Sequence, residues 1–309
     1  MARRYTVTEL LKKHFSSNKN NIIEDKYLNF PSIKDKDVYN PSFPIKIENK
    51  EILPARVESR NNEHSNTILF EQDGDDLTWK PSKKFSSLSL QDPFWIRNKP
   101  KLILGGVEVD FSEEDKVLNW KTVLYKVSNE GTFTKFFTGP DRMKDIRFCV
   151  LNNGKIALFT RPQGGKESKR GQIGFTLLSS WKELTLETII KAPLLNLFEP
   201  NEWGGVNQAQ ILPDGNLGIL GHIACYSNNN TKHYYPITFI LDPYTAKIIR
   251  EPRIVLTRKQ LLPGPSKRPE LEDIIFPGGA IQENGGTTLY LGVSDATVQR
   301  VKIENIFLN

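Results

Sequence analysis

Cysteine is nearly missing from this 309-residue chain: Cys149 and Cys225 are the only two, and no CxxC spacing occurs. Both sit beside apolar residues, which predicts buried free thiols and a reducing, cytoplasmic setting. Histidine is scarce too. The four histidines show neither HExxH nor any other metal-binding spacing, so no metal site is expected. No apolar run approaches the roughly 18 residues that cross a membrane, so no membrane partner is expected. The opening stretch, MARRYTVTELLKKHF, lacks the apolar core of a signal peptide. The glycine-rich pieces match neither a P-loop nor a dinucleotide fingerprint, and no cofactor is expected.

Charge of one sign is also lacking. The net charge of +6 comes from 42 basic and 36 acidic residues. The basic residues are scattered and no nucleic-acid motif interleaves them, so they read as a solvated surface with no nucleic-acid partner. The 38% hydrophobic and 25% charged content is that of an ordinary soluble globular protein.

What is present is a repeated hairpin. Met143–Arg161 reads as strand, turn, strand, because Asn153-Gly154 tolerates the positive φ of a tight turn and β-branched and aromatic residues flank it. Charges, Lys144-Asp145 and Arg161, mark its open end. Similar units run from Asn207 to the turn Asp214-Gly215 and on to His222. Others run from Phe276-Pro277-Gly278-Gly279 through Asn284-Gly285 to Asp295, and from Asp92-Pro93 through a turn near Asn98. A fifth runs from Glu63 and Ser65 to Asp73-Gly74. Five degenerate copies, starting near 63, 92, 144, 206 and 277, predict an all-β, five-bladed β-propeller over residues 37–309. Residues 1–36 read as a short helix followed by a polar loop, with Thr6 and Glu9 as a capping box and the helix ending near Phe15. Residues 37–53 are assigned to the strand that closes the ring, pairing near 290–303.

In a propeller the first strand of each blade lines the central channel, so the equivalent ends share one funnel mouth. That brings together Arg56, Glu58, Glu63, Asp92, Lys144, Asp145, Asn207 and the 276–279 turn, with Arg161, His222 and Asp295 at the rim. Lys144 and Asp145 are adjacent on a strand, so unless a bulge intervenes only one of them, Asp145, is expected to face the funnel. Each has a plainer reading: Asp92 as a turn starter, Arg56–Glu58 as a structural ion pair, His222 as a satisfied core histidine. The five tryptophans read mainly as core, with Trp95 and Trp203 near enough to the funnel to stack on a sugar. Carboxylates among cations suit glycosidic bond chemistry, which needs an acid for the leaving oxygen; inverting hydrolysis adds a second carboxylate, whereas phosphorolysis needs a cationic pocket.

Arg56-Val57-Glu58, Gln91-Asp92-Pro93, Lys144-Asp145-Ile146-Arg147, Thr160-Arg161-Pro162, Asn207-Gln208 with Gly221-His222, and Phe276-Pro277-Gly278-Gly279 with Asp295 carry a resemblance. Over about residues 37–300 the chain resembles the five-bladed β-propeller glycosidases and glycoside phosphorylases. It is most similar to the β-mannoside phosphorylase branch and a related uncharacterised family. In those phosphorylases a Glu-Asp-Pro-Arg motif opens the second blade and its Asp is the general acid; the resemblance gives that role to Asp92. This chain has Gln91 for the Glu and Phe94 for the Arg. The implied function is cleavage of a short oligosaccharide by phosphorolysis, with inorganic phosphate as co-substrate, or by inverting hydrolysis. Asp145 and Glu58 would then tune Asp92 or hold hydroxyls, with Glu63 as an alternative second carboxylate. Arg56, Lys144, Arg161 and His222 would bind phosphate or an anionic sugar, and Asn207 and Asp295 would bind hydroxyls. The rival expectation is a non-catalytic propeller that binds a sugar or a protein partner.

Overall fold

The computed structural model describes residues 3–17, 22–98, 101–165, 170–227, 229–283 and 285–308. Helix α1 (Val7–Ser16) begins where predicted, and the Thr6 side chain accepts from the Glu9 amide at 3.0 Å. Only half of the capping box forms, because the Glu9 carboxylate turns to Arg3 instead. Strand β1 (Ile22–Tyr27) follows directly.

Five sheets then succeed one another. The first contains β2 (Asp37–Tyr39) and β3 (Ile45–Ile47), both paired with β4 (Lys50–Glu58), then β5 (Ser65–Gln72) and β6 (Trp79–Pro81). The second contains β7 (Gln91–Asn98), β8 (Lys101–Phe111), β9 (Val117–Val127) and β10 (Phe133–Thr138). The third contains β11 (Arg147–Val150), β12 (Ile156–Thr160) and β13 (Gly174–Leu178), and is followed by the short helix α2 (Leu186–Ile190). The fourth contains β14 (Trp203–Ile211), β15 (Leu217–Tyr226), β16 (Lys232–Leu241) and β17 (Ile248–Ile254). The fifth contains β18 (Ile275–Glu283), β19 (Gly286–Val293) and β20 (Thr297–Ile303), and β1 completes it. Strands β7, β11, β14 and β18 contact one another around the axis, so each sheet is a blade with its first strand innermost.

The five-bladed expectation holds, and the turns at Asn153-Gly154 and Asp214-Gly215 each join the first two strands of a blade. In the fifth blade Asn284 lies outside the described residues, and Gly285 takes a φ of +93°. Two placements differ. The ring is closed by β1, which pairs antiparallel with β20 from Ile22↔Ile303 to Tyr27↔Gln299, not by residues 37–53. The polar composition of 17–36 concealed this strand because it is an edge, with one side of the ladder in solvent. The propeller therefore reaches back to residue 22, and residues 37–53 build the first blade. The unit starting at Glu63 is likewise not an innermost strand. It is β5, and Asp73-Gly74 leads from it to β6. The innermost strand of blade one is the broken pair β2 and β3, split by Asn40-Pro41.

Large side chains fill the gaps between blades. Leu53, Phe70 and Trp79 of the first blade pack in one cluster with Trp95 and Leu104 of the second. Phe159, Phe198, Ile223 and Phe239 pack together between the third and fourth, where Val7 and Leu10 of α1 join them. Cys149 is buried and Cys225 half-buried, both as free thiols.

Candidate active site

One backbone device recurs at the top of the innermost strands. Asn40, Asp92 and Asp145 all have positive φ, at +42°, +49° and +59°. At the matching point β14 shifts register between Val206 and Gln208, around Asn207, and β18 shifts between Pro277 and Gly279. Short polar residues tolerate the left-handed region where most side chains do not. The kinks at Asn40, Asp92 and Asp145 aim polar side chains at the axis instead of continuing the alternation of a strand. For this reason both Lys144 and Asp145 border the funnel: the break in the strand is the exception under which the two could share it.

The kinks enclose a polar cavity of about 340 Å³ at the funnel mouth. Of the residues singled out in the sequence, Arg56, Glu63, Asp92, Lys144, Asp145, Arg161, His222 and Asp295 line it. Glu58 and Asn207 do not: Glu58 lies behind Arg56, and Asn207 lies below, accepting from His222 Nδ1 at 2.8 Å. Trp203 is buried to one side of the site, packed on Tyr226 and Tyr234, and donates from Nε1 to the Tyr234 hydroxyl at 3.0 Å, while Trp95 faces the opposite end of the channel. Neither stands in the cavity where a sugar would stack.

One wall is acidic. Asp92 is buried, and its Oδ1 accepts from Asn40 Nδ2 at 2.8 Å and from Arg56 Nη1 at 3.3 Å. Its Oδ2 takes no hydrogen bond from the described residues. Gly292 permits the approach of Asn40, since a Cβ there would stand 2.1 Å from Asn40 Oδ1. Arg56 also grips Glu58, from Nε at 3.0 Å and Nη2 at 2.6 Å, and lies 3.6 Å from Glu63. Glu58 accepts as well from Tyr39, Ser65 and Lys267. Burial pushes the Glu58 carboxyl up, but Arg56 and these donors outweigh it and hold it below its ordinary value. Asp295, also at positive φ, is pushed up to about 6. Burial is the main cause, and Asp92 adds to it against the opposing pull of Arg56.

The facing wall is cationic. Asp145 Oδ2 lies 3.1 Å from Arg161 Nη1, and Oδ1 lies 3.7 Å from Arg147 Nη2. Burial raises the Asp145 carboxyl, yet Arg161, Lys144, His222 and Arg147 together bring it down to about 2. Gly205 makes this packing fit, because a Cβ there would meet His222, Arg161 and Asp145 at 3.1 to 3.2 Å. His222 is pulled down to about 3, mainly by burial, so it is neutral at physiological pH. With Asn207 Oδ1 as acceptor, Nδ1 carries the proton and Nε2 is left as an acceptor. His222 is therefore not one of the cations, and Arg56 is already engaged by three carboxylates, Glu58, Glu63 and Asp92. Lys144 and Arg161 remain from the expected set, and Lys232 and Arg268 join them. Lys144 and Lys232 have no ion pair with a carboxylate among the described residues.

The sequence reading missed Asn40, Lys232, Tyr234 and Lys267. Asn40-Pro41 echoes Asp92-Pro93 and was a usable signal. Lys232 and Tyr234 reach the cavity from the third strand of blade four, where no motif marks them.

No curated protein matches the chain. Solved structures do. A mannose phosphorylase from Leishmania mexicana, MPT-4, in complex with phosphate ion, is 33% identical over 96% of this chain and 92% of its own, with a TM-score of 0.87. MPT-1, a GDP-Man-dependent mannosyltransferase from the same organism, is 27% identical over 99% of this chain and 97% of its own, at 0.86. A β-1,2-mannobiose phosphorylase from Listeria innocua shares the fold at 14% identity, covering 89% of this chain and 92% of its own, at 0.63. A family model described as a protein of unknown function, DUF1861, matches residues 14–309, and the chain belongs to that family.

Proposed function

We propose that the protein is a glycoside phosphorylase acting on a short mannose-containing oligosaccharide in the funnel cavity. The observation that carries this reading is the division of the cavity. Asp92 stands on one wall, and Lys144, Arg161 and Lys232 stand on the other with more positive charge than Asp145 neutralises. Two lysines with no close ion pair to a carboxylate among the described residues suit an inorganic anion as nucleophile. The likeness to the phosphate-bound mannose phosphorylase supports the same assignment.

In this reading phosphate lies against Arg161, Lys144 and Lys232, with His222 as a neutral partner. A phosphate oxygen forms a bond to the anomeric carbon as the glycosidic C–O bond breaks, with inversion. The leaving oxygen takes the Asp92 proton from Oδ2, the oxygen left free by Asn40 and Arg56. The products are a sugar 1-phosphate and the shortened saccharide. Asp295 and Glu63 hold sugar hydroxyls. Asp145 and Glu58 are fixed charges that orient Arg161 and Arg56, and Asn207 sets the His222 tautomer.

The test is a melting curve against phosphate, with chloride at matched ionic strength. Phosphate should stabilise the protein by about 2.7 kcal/mol at one hundred times its dissociation constant. Arg161→Ala should remove that gain. The absence of any phosphate-specific shift would reject phosphorolysis and leave hydrolysis, with Glu63 as the cavity's candidate base.

A further inference from the structure

The loop between β17 and β18 contributes a buried cation to the acidic wall. Lys267 comes from Leu262–Ile274, a stretch with no motif, and its side chain is only 2% exposed. Its ammonium donates to Glu58 and, at 3.2 Å, to the Asn62 carbonyl. Its own amide donates to the Ser294 carbonyl at 3.0 Å. The same loop also holds Ser294 in other ways. The Ser294 amide donates to the Ile274 carbonyl at 2.7 Å, its hydroxyl donates to the Glu272 carbonyl at 2.6 Å, and Arg258 Nε donates to its Oγ at 3.2 Å. Ser294 and Asp295 both have left-handed backbones, at +54° and +50°, a conformation that the surroundings must impose.

We infer that Lys267 is a positioning residue: its ammonium neutralises Glu58 and its backbone fixes the Ser294–Asp295 turn, so that the Arg56 charge is left for Asp92 and Asp295. The inference deepens the reading above and rests on it for the roles of those two carboxylates. Glu58, its side chain fully buried, lies against both Arg56 and Lys267. Without Lys267, Glu58 and Arg56 would cancel one another, and the two carboxylates facing the cavity would have no counter-charge. Glu63, 3.6 Å from both Arg56 and Lys267, is balanced by Arg268 at 3.0 Å, so in the buried group two cations, Arg56 and Lys267, face three carboxylates, Glu58, Asp92 and Asp295. One proton makes that group neutral, and a neutral group is what burial favours. The wall thus keeps one proton, shared by the two carboxylates that face the cavity, near the glycosidic oxygen, and Asp92 delivers it from Oδ2.

The charged and titratable groups around Asp295 are Arg56 and Glu58 of β4, Asp92 of β7, Tyr39 of β2, Tyr234 of β16 and Lys267 itself. Lys267 and Arg56 lower its titration, whereas Glu58 and Asp92 raise it. Removing the Lys267 charge therefore shifts Asp295 upward.

Carboxyl-carbon NMR of Asp295 across pH 4–9 tests this without any need for turnover. In Lys267→Met the midpoint should rise by about one pH unit, and in Lys267→Arg it should stay near the wild-type value. If Lys267→Met does not fold, Lys267→Gln retains a donor for Glu58 without the charge and should show the same rise. An unchanged Asp295 midpoint in a folded neutral variant overturns the inference, whatever happens to activity. An Asp295 midpoint that moves as expected in a protein that cleaves no saccharide would leave the electrostatic role standing and refute the catalytic reading. Where wild type cleaves, the same neutral variants should move the basic limb of the kcat/KM profile upward by the same amount.

Discussion

Asp92 and Asp145 occupy equivalent kinks on neighbouring blades, with φ of +49° and +59°, and the two walls of the site give them opposite work. Asp145 is sealed among Arg161, Arg147 and Lys144 and driven down to about 2, so it serves only as a fixed negative charge. Asp92 shares one arginine with Glu58, accepts from the neutral Asn40, and keeps one oxygen free toward the cavity. The backbone device supplies position alone. In the proposed function, the number of cations within reach decides whether the carboxylate it presents acts as an acid or an anchor.

The comparison breaks most completely at Asp92. Asp92→Asn keeps shape and polarity but has no proton to give, so kcat should fall by roughly two to four orders of magnitude while phosphate binding survives. Unchanged turnover in that variant would move the acid elsewhere. Asp145→Asn should act on stability first. It leaves Arg161 and Arg147 buried beside a neutral amide, and unfolding by urea should show a loss of about 3 kcal/mol. Added phosphate should restore part of that loss, because the uncovered guanidinium faces the cavity.

Asn40 sharpens the contrast from the other side. Asn40→Gly keeps the positive φ at +42° and removes only the hydrogen bond to Asp92, so kcat should drop about tenfold with the fold intact. The smallest effect is a pH dependence. Asp295 is raised from 3.8 to about 6, so its ionisation costs the folded state increasingly as pH rises from about 4 to 6. Asp295→Asn should therefore be more stable than wild type above pH 6, by something on the order of 1 kcal/mol, and equal to it near pH 3. Asp145 has the opposite sign: it stabilises above 3.8, and that contribution is lost as pH falls through about 2. Stability curves of the two asparagine variants should diverge from wild type in opposite directions above pH 4.

Much of this was legible in the sequence because hairpin turns are local. Asn153-Gly154 and Asp214-Gly215 announce their blades from residues that touch one another in the chain. Asp92, Asp145, Arg161 and His222 came together because the repeat puts them at one level. The misses are non-local. β1 reads as a polar loop since its partner, β20, lies more than 270 residues away along the chain. Blade one was misaligned because Asn40-Pro41 breaks its inner strand in two. Lys267 sits in a loop without repeat or motif, and only the folded ring carries it to Glu58, 209 residues distant. Charge state was equally out of reach: His222 looks like a cation until burial and the neighbouring arginine make it neutral.

The most direct test of the account is phosphorus NMR of the protein incubated with β-linked manno-oligosaccharides, in phosphate buffer and in a phosphate-free buffer of equal ionic strength. A sugar 1-phosphate resonance should grow as the oligosaccharide shortens, with no shortening in the absence of phosphate. Shortening at the same rate in both buffers, with free mannose and no phosphorylated sugar, would contradict it.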